Sequence, residues 1–296
     1  MATTHETENA QTSWNDWEFN DSDEANEICK NYQESKGLLL MGRGGTGKTH
    51  VAKLIAQETK AKKLALTNKA CLVLGGTTIH KFLCITDKGQ IDKKWVKKQK
   101  YTDYVIDEIS MINGHLWKLL CELKKLTNAR FLLVGDWRQL PPIEDNNILD
   151  YFNHSCVKYL TDSNRCELTK MKRYDIYLWD LLEDIQQGTE NVDELKKNFK
   201  MKDVIKNTNI CYYNKTRKRI NKLCNEFIAQ NNDFLEIKYK GFDTYPQSCK
   251  IYKNCPVICR INRDNCVNNE SFIIDDFNDK IIKLHSIRMN EGKEVI

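Results

Sequence analysis

The chain has 296 residues, 41% hydrophobic and 29% charged, with a formal net charge of +5. That length allows one large or two ordinary domains with real cores. No stretch approaches 18 consecutive apolar residues, the opening MATTHETENA has no basic segment leading into an apolar run, and the twelve cysteines are scattered, so neither a membrane span nor a secreted disulfide scaffold is expected.

Residues 1–25 are polar and acidic and read as a disordered tail, with local docking of WNDWEFNDSDEANE left open. Residues 1–29 hold eight acids and no Lys or Arg, so the rest of the chain is more basic than the net charge suggests, which suits a polyanionic partner. A short helix is predicted over Ala25–Tyr32. Then come four short apolar runs, each ending in a polar cluster: Leu38–Met41 before GRGGTGKT, Lys63–Leu66 before TNKA, Tyr104–Ile106 before DEIS, and Phe131–Val134 before GDWRQLPP. Helical stretches lie between them, among them Val51–Glu58 and Leu116–Lys125.

Strands without polar alternation, separated by helices, predict a parallel α/β sheet buried on both faces, with function gathered at the carboxyl ends of the strands. The expected organisation is a first α/β lobe over 26–160, with a small basic insertion at 85–100, and a second over 161–296. Within the second, Asp175–Gln187 and Thr216–Gln230 are predicted helical and Val204–Tyr213 a strand.

Gly42-Arg-Gly44-Gly45-Thr46-Gly47-Lys48-Thr49 fits G-x-x-x-x-G-K-[ST] at every fixed position, after a strand and ahead of a helix that continues through His50. Glycines let backbone N–H groups turn toward phosphates, and the helix N-terminus adds partial positive charge. Lys48 reaches the β- and γ-phosphates, and the Thr49 hydroxyl is a Mg²⁺ ligand. Asp107 at a strand tip suits the same cation, and the adjacent Glu108 suits polarising a water. Gln139, in the cluster after the next strand, is placed to sense the γ-phosphate.

In order along the chain, these motifs resemble superfamily 1 helicases. The resemblance is to the RecD-like branch that includes the petite-integration-frequency DNA helicases and relatives in large DNA viruses. It rests on GRGGTGKT, Thr67-Asn68-Lys69-Ala70, Thr78-Ile79-His80-Lys81-Phe82, DEISM, GDWRQLPPI, Leu160–Arg165, Asn214–Arg217 with Ile220-Asn221, and Pro256-Val257-Ile258 ahead of Asn268-Asn269-Glu270. It implies a RecA-like P-loop NTPase sheet flanked by helices, a second RecA-like lobe with the start of an inserted subdomain, ATP and Mg²⁺ as cofactors, and 5′→3′ movement on single-stranded or forked DNA, RNA remaining open. A monomer in the cytoplasm or nucleus is expected.

By the same resemblance, Thr67, Asn68, Lys69, His80 and Lys81 line the single-strand path, and Arg165 reaches the γ-phosphate from the second lobe. Two C-terminal motifs of the family, one like H-K-S-Q-G-x-T and a later Ser-Arg pair, are not found before Ile296. The second lobe is therefore expected to be incomplete, with nucleotide binding retained and robust unwinding lost. Cys249, Cys255, Cys259 and Cys266 leave two readings open, a zinc site or reduced thiols. Trp95, amid Lys93, Lys94, Lys97 and Lys98, is either a stacking element or the anchor of the insertion.

Overall fold

The computed structural model describes residues 14–19, 24–86, 88–142, 154–173, 175–188, 213–239, 247–260, 266, 268, 270–278, 280–286 and 294–295. The strand predicted at Val204–Tyr213 lies outside them up to residue 212, as does Asn269. The chain divides into two compact units, Met1–Gly188 and Thr189–Ile296.

The first unit is built on seven strands: β1 (Asn15–Asp16), β2 (Gly37–Gly42), β3 (Lys62–Ala65), β4 (Thr77–Thr78), β5 (Asp103–Asp107), β6 (Arg130–Gly135) and β7 (Asn164–Leu168). Their spatial order is β1-β7-β2-β6-β5-β3-β4, and every pairing is parallel. Helices α1 (Glu24–Glu34), α2 (Lys48–Glu58), α3 (Asn68–Leu74), α4 (Ile79–Leu83), α5 (Lys93–Lys98), α6 (Gly114–Thr127), α7 (Ser155–Thr161) and α8 (Ile176–Gln187) flank or follow the strands.

The unbroken apolar runs have the expected cause. Along β2, Leu39 and Met41 enter the core on one face of the sheet with Phe131, Leu133, Ile106 and Trp117. Leu38 and Leu40 enter the other with Val105, Leu132, Val51, Ile55 and Ile28. A strand covered on both sides has no position for a polar side chain, so alternation disappears.

Two expectations need correction. Residues 14–19 belong to the supposedly disordered tail, yet Asn15 and Asp16 add an edge strand beside Asn164 and Arg165, while Trp14 packs on one core layer and Trp17 and Phe19 on the other. Three aromatic side chains in six residues supply apolar area that the acidic composition conceals. The boundary at 160/161 also fails. β7 sits inside the first sheet, hydrogen-bonded to β2, and the unit continues through α8 to Gly188.

In the second unit, α9 (Asn214–Ala229) precedes the antiparallel pair β8 (Phe234–Ile237) and β9 (Cys249–Tyr252). A four-stranded antiparallel sheet follows, β10 (Pro256–Ile258), β11 (Ser271–Phe277), β12 (Ile282–Ser286) and β13 (Glu294–Val295). Its core gathers Ala229, Ile251, Tyr252, Cys255 and Ile274. Among the described residues all pairings here are antiparallel, so the parallel core of a second RecA-like lobe is not present in them.

The basic insertion carries α5, capped by Asp92, whose carboxylate accepts from the Lys94 and Trp95 amides. The Trp95 indole donates to the Phe82 carbonyl at 2.7 Å, which makes it an anchor of the insertion. No helix among the described residues is long and apolar enough to cross a membrane.

Candidate nucleotide and nucleic-acid site

All parallel strands of a sheet deliver their following loops to one edge, and here that edge collects the polar clusters. β2 ends at Gly42, whose φ of 150° and surroundings exclude a side chain: a Cβ there would lie 2.6 Å from the Leu168 carbonyl oxygen. The loop closes at Gly47, left-handed at φ 98°, which starts α2 without any side-chain cap. The first amides of that helix are thereby left facing the loop, the arrangement that binds phosphate.

Lys48 is 9% exposed, and its ammonium donates to the carbonyls of Gly42 at 2.6 Å and Arg43 at 2.8 Å. Burial lowers its pKa, with Asp136, Asp107 and Glu108 acting against the shift. The Thr49 hydroxyl donates to Asp107 Oδ2 at 3.2 Å, and Asp107 Oδ1 accepts from the Glu108 amide at 2.9 Å. Glu108 itself has a left-handed φ of 57°, a strained turn for a side chain of its size.

Burial pushes the pKa of Asp107 up, the Glu108 amide and Thr49 hydroxyl opposing it. Burial, then the charge of Asp107, pushes Glu108 up. Two carboxyls short of compensating charge, beside a threonine hydroxyl, fit a hard divalent cation held by oxygen ligands.

A cleft of about 540 Å³ runs along this edge. Thr49, Asp107, Glu108, Ser110, Arg138 and Gln139 line it, and so do Thr67 and Lys69 from the loop after β3. Asp136 is buried and accepts from the Arg138 amide at 3.1 Å and Nε at 2.8 Å, and Arg138 reaches on to Glu167 at 3.2 Å. That network fixes the turn from which the exposed Gln139 extends. Thr67 and Thr78 cap α3 and α4, accepting from the amides of Ala70 and Lys81. His80 and Lys81 are exposed at the end of β4, the far edge of the sheet, so His80 is not a buried core histidine. Asn68 is half-buried and His50 exposed.

Arg165 is elsewhere. It sits near the start of β7, three residues before the strand end, paired with Asp16 and stacked 5.5 Å from the Trp14 ring centroid. It belongs to the first unit, not the second, and its guanidinium is committed to the docked tail. The expectation that Arg165 reaches the γ-phosphate is therefore corrected.

The loop after β7 supplies what the sequence reading overlooked. Lys172 N–H donates to the Gly45 carbonyl at 2.9 Å, and its side chain lies against Gly47, where a Cβ would meet Lys172 Cδ at 3.3 Å. Arg173 follows, exposed. Lys170, Lys172 and Arg173 stand directly ahead of Asp175, the N-cap of α8, and a basic loop before a capped helix was a legible signal.

A family model described as an AAA domain matches residues 23–206. The chain belongs to that family. Its relatives place it on the Pif1-like, superfamily 1 branch. One is the ATP-dependent DNA helicase Pif1 of Campylobacter jejuni, 26% identical over 88% of this chain and 70% of that protein. Another is the ATP-dependent DNA helicase dda of bacteriophage T4, 26% identical over 57% of this chain and 42% of the phage protein. Among solved structures, Bacteroides Pif1 in complex with ADP-AlF3 and single-stranded DNA superposes with a TM-score of 0.67 at 19% identity, covering 90% of this chain and 72% of that one. Pif1 of Candida albicans gives 0.61 at 20% identity, covering 89% and 70%. At such identities the superpositions establish the fold of this AAA-family chain.

Proposed function

We propose that the chain is an ATP-driven DNA helicase that hydrolyses Mg·ATP in the cleft at the sheet edge and moves on single-stranded DNA, 5′→3′. The observation that carries the reading is that Thr49, Asp107, Glu108 and Gln139 line one cleft with Thr67 and Lys69. Groups suited to phosphoryl transfer and groups suited to a nucleic-acid backbone share walls, so closure on one ligand moves residues that touch the other.

In this reading Gly42, Gly44, Gly45, Thr46 and Gly47 shape the loop around the phosphates, with His50 following in the helix. Lys48 leaves the loop carbonyls for the β- and γ-phosphates. Thr49 and Asp107 hold Mg²⁺, which neutralises phosphate charge when bound. Glu108 orients and accepts a proton from the attacking water, and Gln139 reports the γ-phosphate to the strand path. Arg173, next to the Lys172 contact on the glycine loop, takes the charge-neutralising role first assigned to Arg165. Thr67, Asn68, Lys69, His80 and Lys81 grip the DNA backbone without reading bases.

The test is steady-state ATPase with and without single-stranded DNA, in the unsubstituted chain and in Lys48→Ala. DNA stimulation abolished by the substitution, with Mg²⁺ dependence shown by chelation, supports the reading. Activity indifferent to DNA indicates a different P-loop NTPase, and DNA binding without ATPase a non-catalytic module. Forks with a 5′ or a 3′ single-stranded tail report polarity.

A further inference from the structure

In the second unit, Cys259 Sγ and Cys266 Sγ lie 3.2 Å apart. Ordinary sulfur contact is wider than this, and a covalent disulfide needs about 2.05 Å, so each sulfur has about 0.6 Å to travel. Cys259 follows β10 directly, and its amide donates to the Glu270 carbonyl at 2.8 Å, which pins it opposite the start of β11. Both thiols are half-buried, reachable by a small reagent.

Exposure alone does not set the pair apart, since Cys84 is exposed and Cys121, Cys156, Cys224 and Cys249 are half-buried too. Cys29, Cys71, Cys166 and Cys255 are buried. Burial pushes the thiol pKa to about 11 in Cys29 and Cys71, and to about 12 in Cys166, leaving little thiolate at neutral pH. Cys121, near Cys156, is likewise pushed up to about 12, first by burial. The described residues hold no cluster of three or more His, Cys, Asp or Glu that could cage a metal.

We propose that Cys259 and Cys266 are a reversible oxidation site that closes an intramolecular disulfide across the β10–β11 connection. The oxidant is a small-molecule disulfide of the glutathione class. A thiolate of the pair attacks it, forming a mixed disulfide and releasing one glutathione thiolate. The second cysteine then attacks the mixed disulfide and releases the other. Two protein thiols are oxidised, one glutathione disulfide is reduced to two thiols, and two protons pass to the two glutathione thiolates. Proximity makes the second step fast, because the resolving sulfur already lies in contact.

Arg260 and Arg263 separate the two cysteines and trypsin cuts after each, while Cys255 travels in the same peptide as Cys259, so the bond is assigned by fragmentation of the joined peptides and by alkylation of Cys255. The full chain is equilibrated with a glutathione disulfide/glutathione series, free thiols are alkylated, and tryptic peptides are read by mass spectrometry. The expected product is the Cys259 and Cys266 peptides joined, lighter than the two thiols by two hydrogens and separated by dithiothreitol. It appears before any of the buried cysteines reacts. Cys259→Ser and Cys266→Ser each abolish the linkage and leave the remaining cysteine glutathionylated. Stable glutathionylation of Cys259 or Cys266 in the unsubstituted chain overturns the proposal. So does linkage of either to another cysteine, or full alkylation of both at ratios where other thiols have oxidised. The readout is independent of ATPase or DNA binding.

Discussion

The Arg43 guanidinium lies over the Trp179 ring, 4.9 Å from its centroid, so a residue inside the glycine loop is stacked on α8. Glu183, one turn further along that helix, accepts from Arg43 Nη1 at 3.3 Å. The Arg43 side chain is only 12% exposed, so the stack is partly desolvated, whereas Glu183 is 47% exposed and its charge well screened.

Arg43→Ala removes both contacts. A partly desolvated cation–π pair is worth about 1 kcal/mol and the exposed ion pair about half that at most. If the loop needs this support to hold phosphate, the KM for ATP rises about fivefold while kcat changes little. Arg43→Lys restores part of the loss, since an ammonium still pairs with Glu183 but does not stack as a plane. An unchanged KM in Arg43→Ala would show that the loop keeps its shape without α8.

Arg165 and Arg173 separate two tasks. Arg165→Ala unlatches Asp16, whose pKa is lowered mainly by the hydrogen bond from Arg165. That stabilisation is present above the unfolded carboxylate pKa and lost as pH falls through the lowered folded value. Because Asp16 is exposed and salt-screened, the ion pair contributes at most about 1 kcal/mol, the Trp14 stack adds at most about as much, and ATPase stays within about twofold. Arg173→Ala instead costs about 10³-fold in DNA-stimulated kcat. Equal losses in the two variants would return the role to Arg165.

Most of the first unit was legible because its strands are buried on both faces. Leu38–Met41, Tyr104–Ile106 and Phe131–Val134 have no polar position, and each falls within its strand: β2, β5 and β6. β7 was not legible. Asn-Arg-Cys-Glu-Leu alternates buried and exposed positions, since only Asn164, Cys166 and Leu168 enter the interior. Missing that strand moved the unit boundary forward and carried Arg165 into the wrong lobe. At the site, Gly42–Thr49, Asp107 and Glu108 follow from spacing because phosphate binding constrains backbone. The Lys172 contact depends on β7 lying beside β2, which no local pattern encodes.

Ser110 offers a test in which stability and activity move apart. The residue is 3% exposed and lines the cleft, and its hydroxyl has no hydrogen-bond partner among the described residues. A buried polar group without a partner costs about 1–3 kcal/mol, so Ser110→Ala leaves the melting temperature unchanged or raises it. If the hydroxyl serves bound ligand, the same variant lowers kcat/KM by about fivefold to tenfold, the worth of one hydrogen bond. A lowered melting temperature would reveal a native partner instead.

Glu108 sets the acid limit of activity. Its carboxyl is pushed above 4.5 by burial first and by Asp107 second. The base works ionised, so kcat/KM, which reports the free enzyme, is lost as pH falls through that raised value. Folding has the opposite sign. Between the unfolded and folded pKa values the native state binds more protons, so stability without nucleotide rises as pH is lowered through the window and falls as pH rises. Asp107, also raised by burial, acts in the same direction. The acid midpoint of kcat/KM is expected above 4.5, the ordinary value for this carboxyl. Glu108→Gln should flatten the limb and cut the rate by about 10²–10⁴. A midpoint at or below 4.5, or an unchanged profile in Glu108→Gln, would assign the proton transfer to another group.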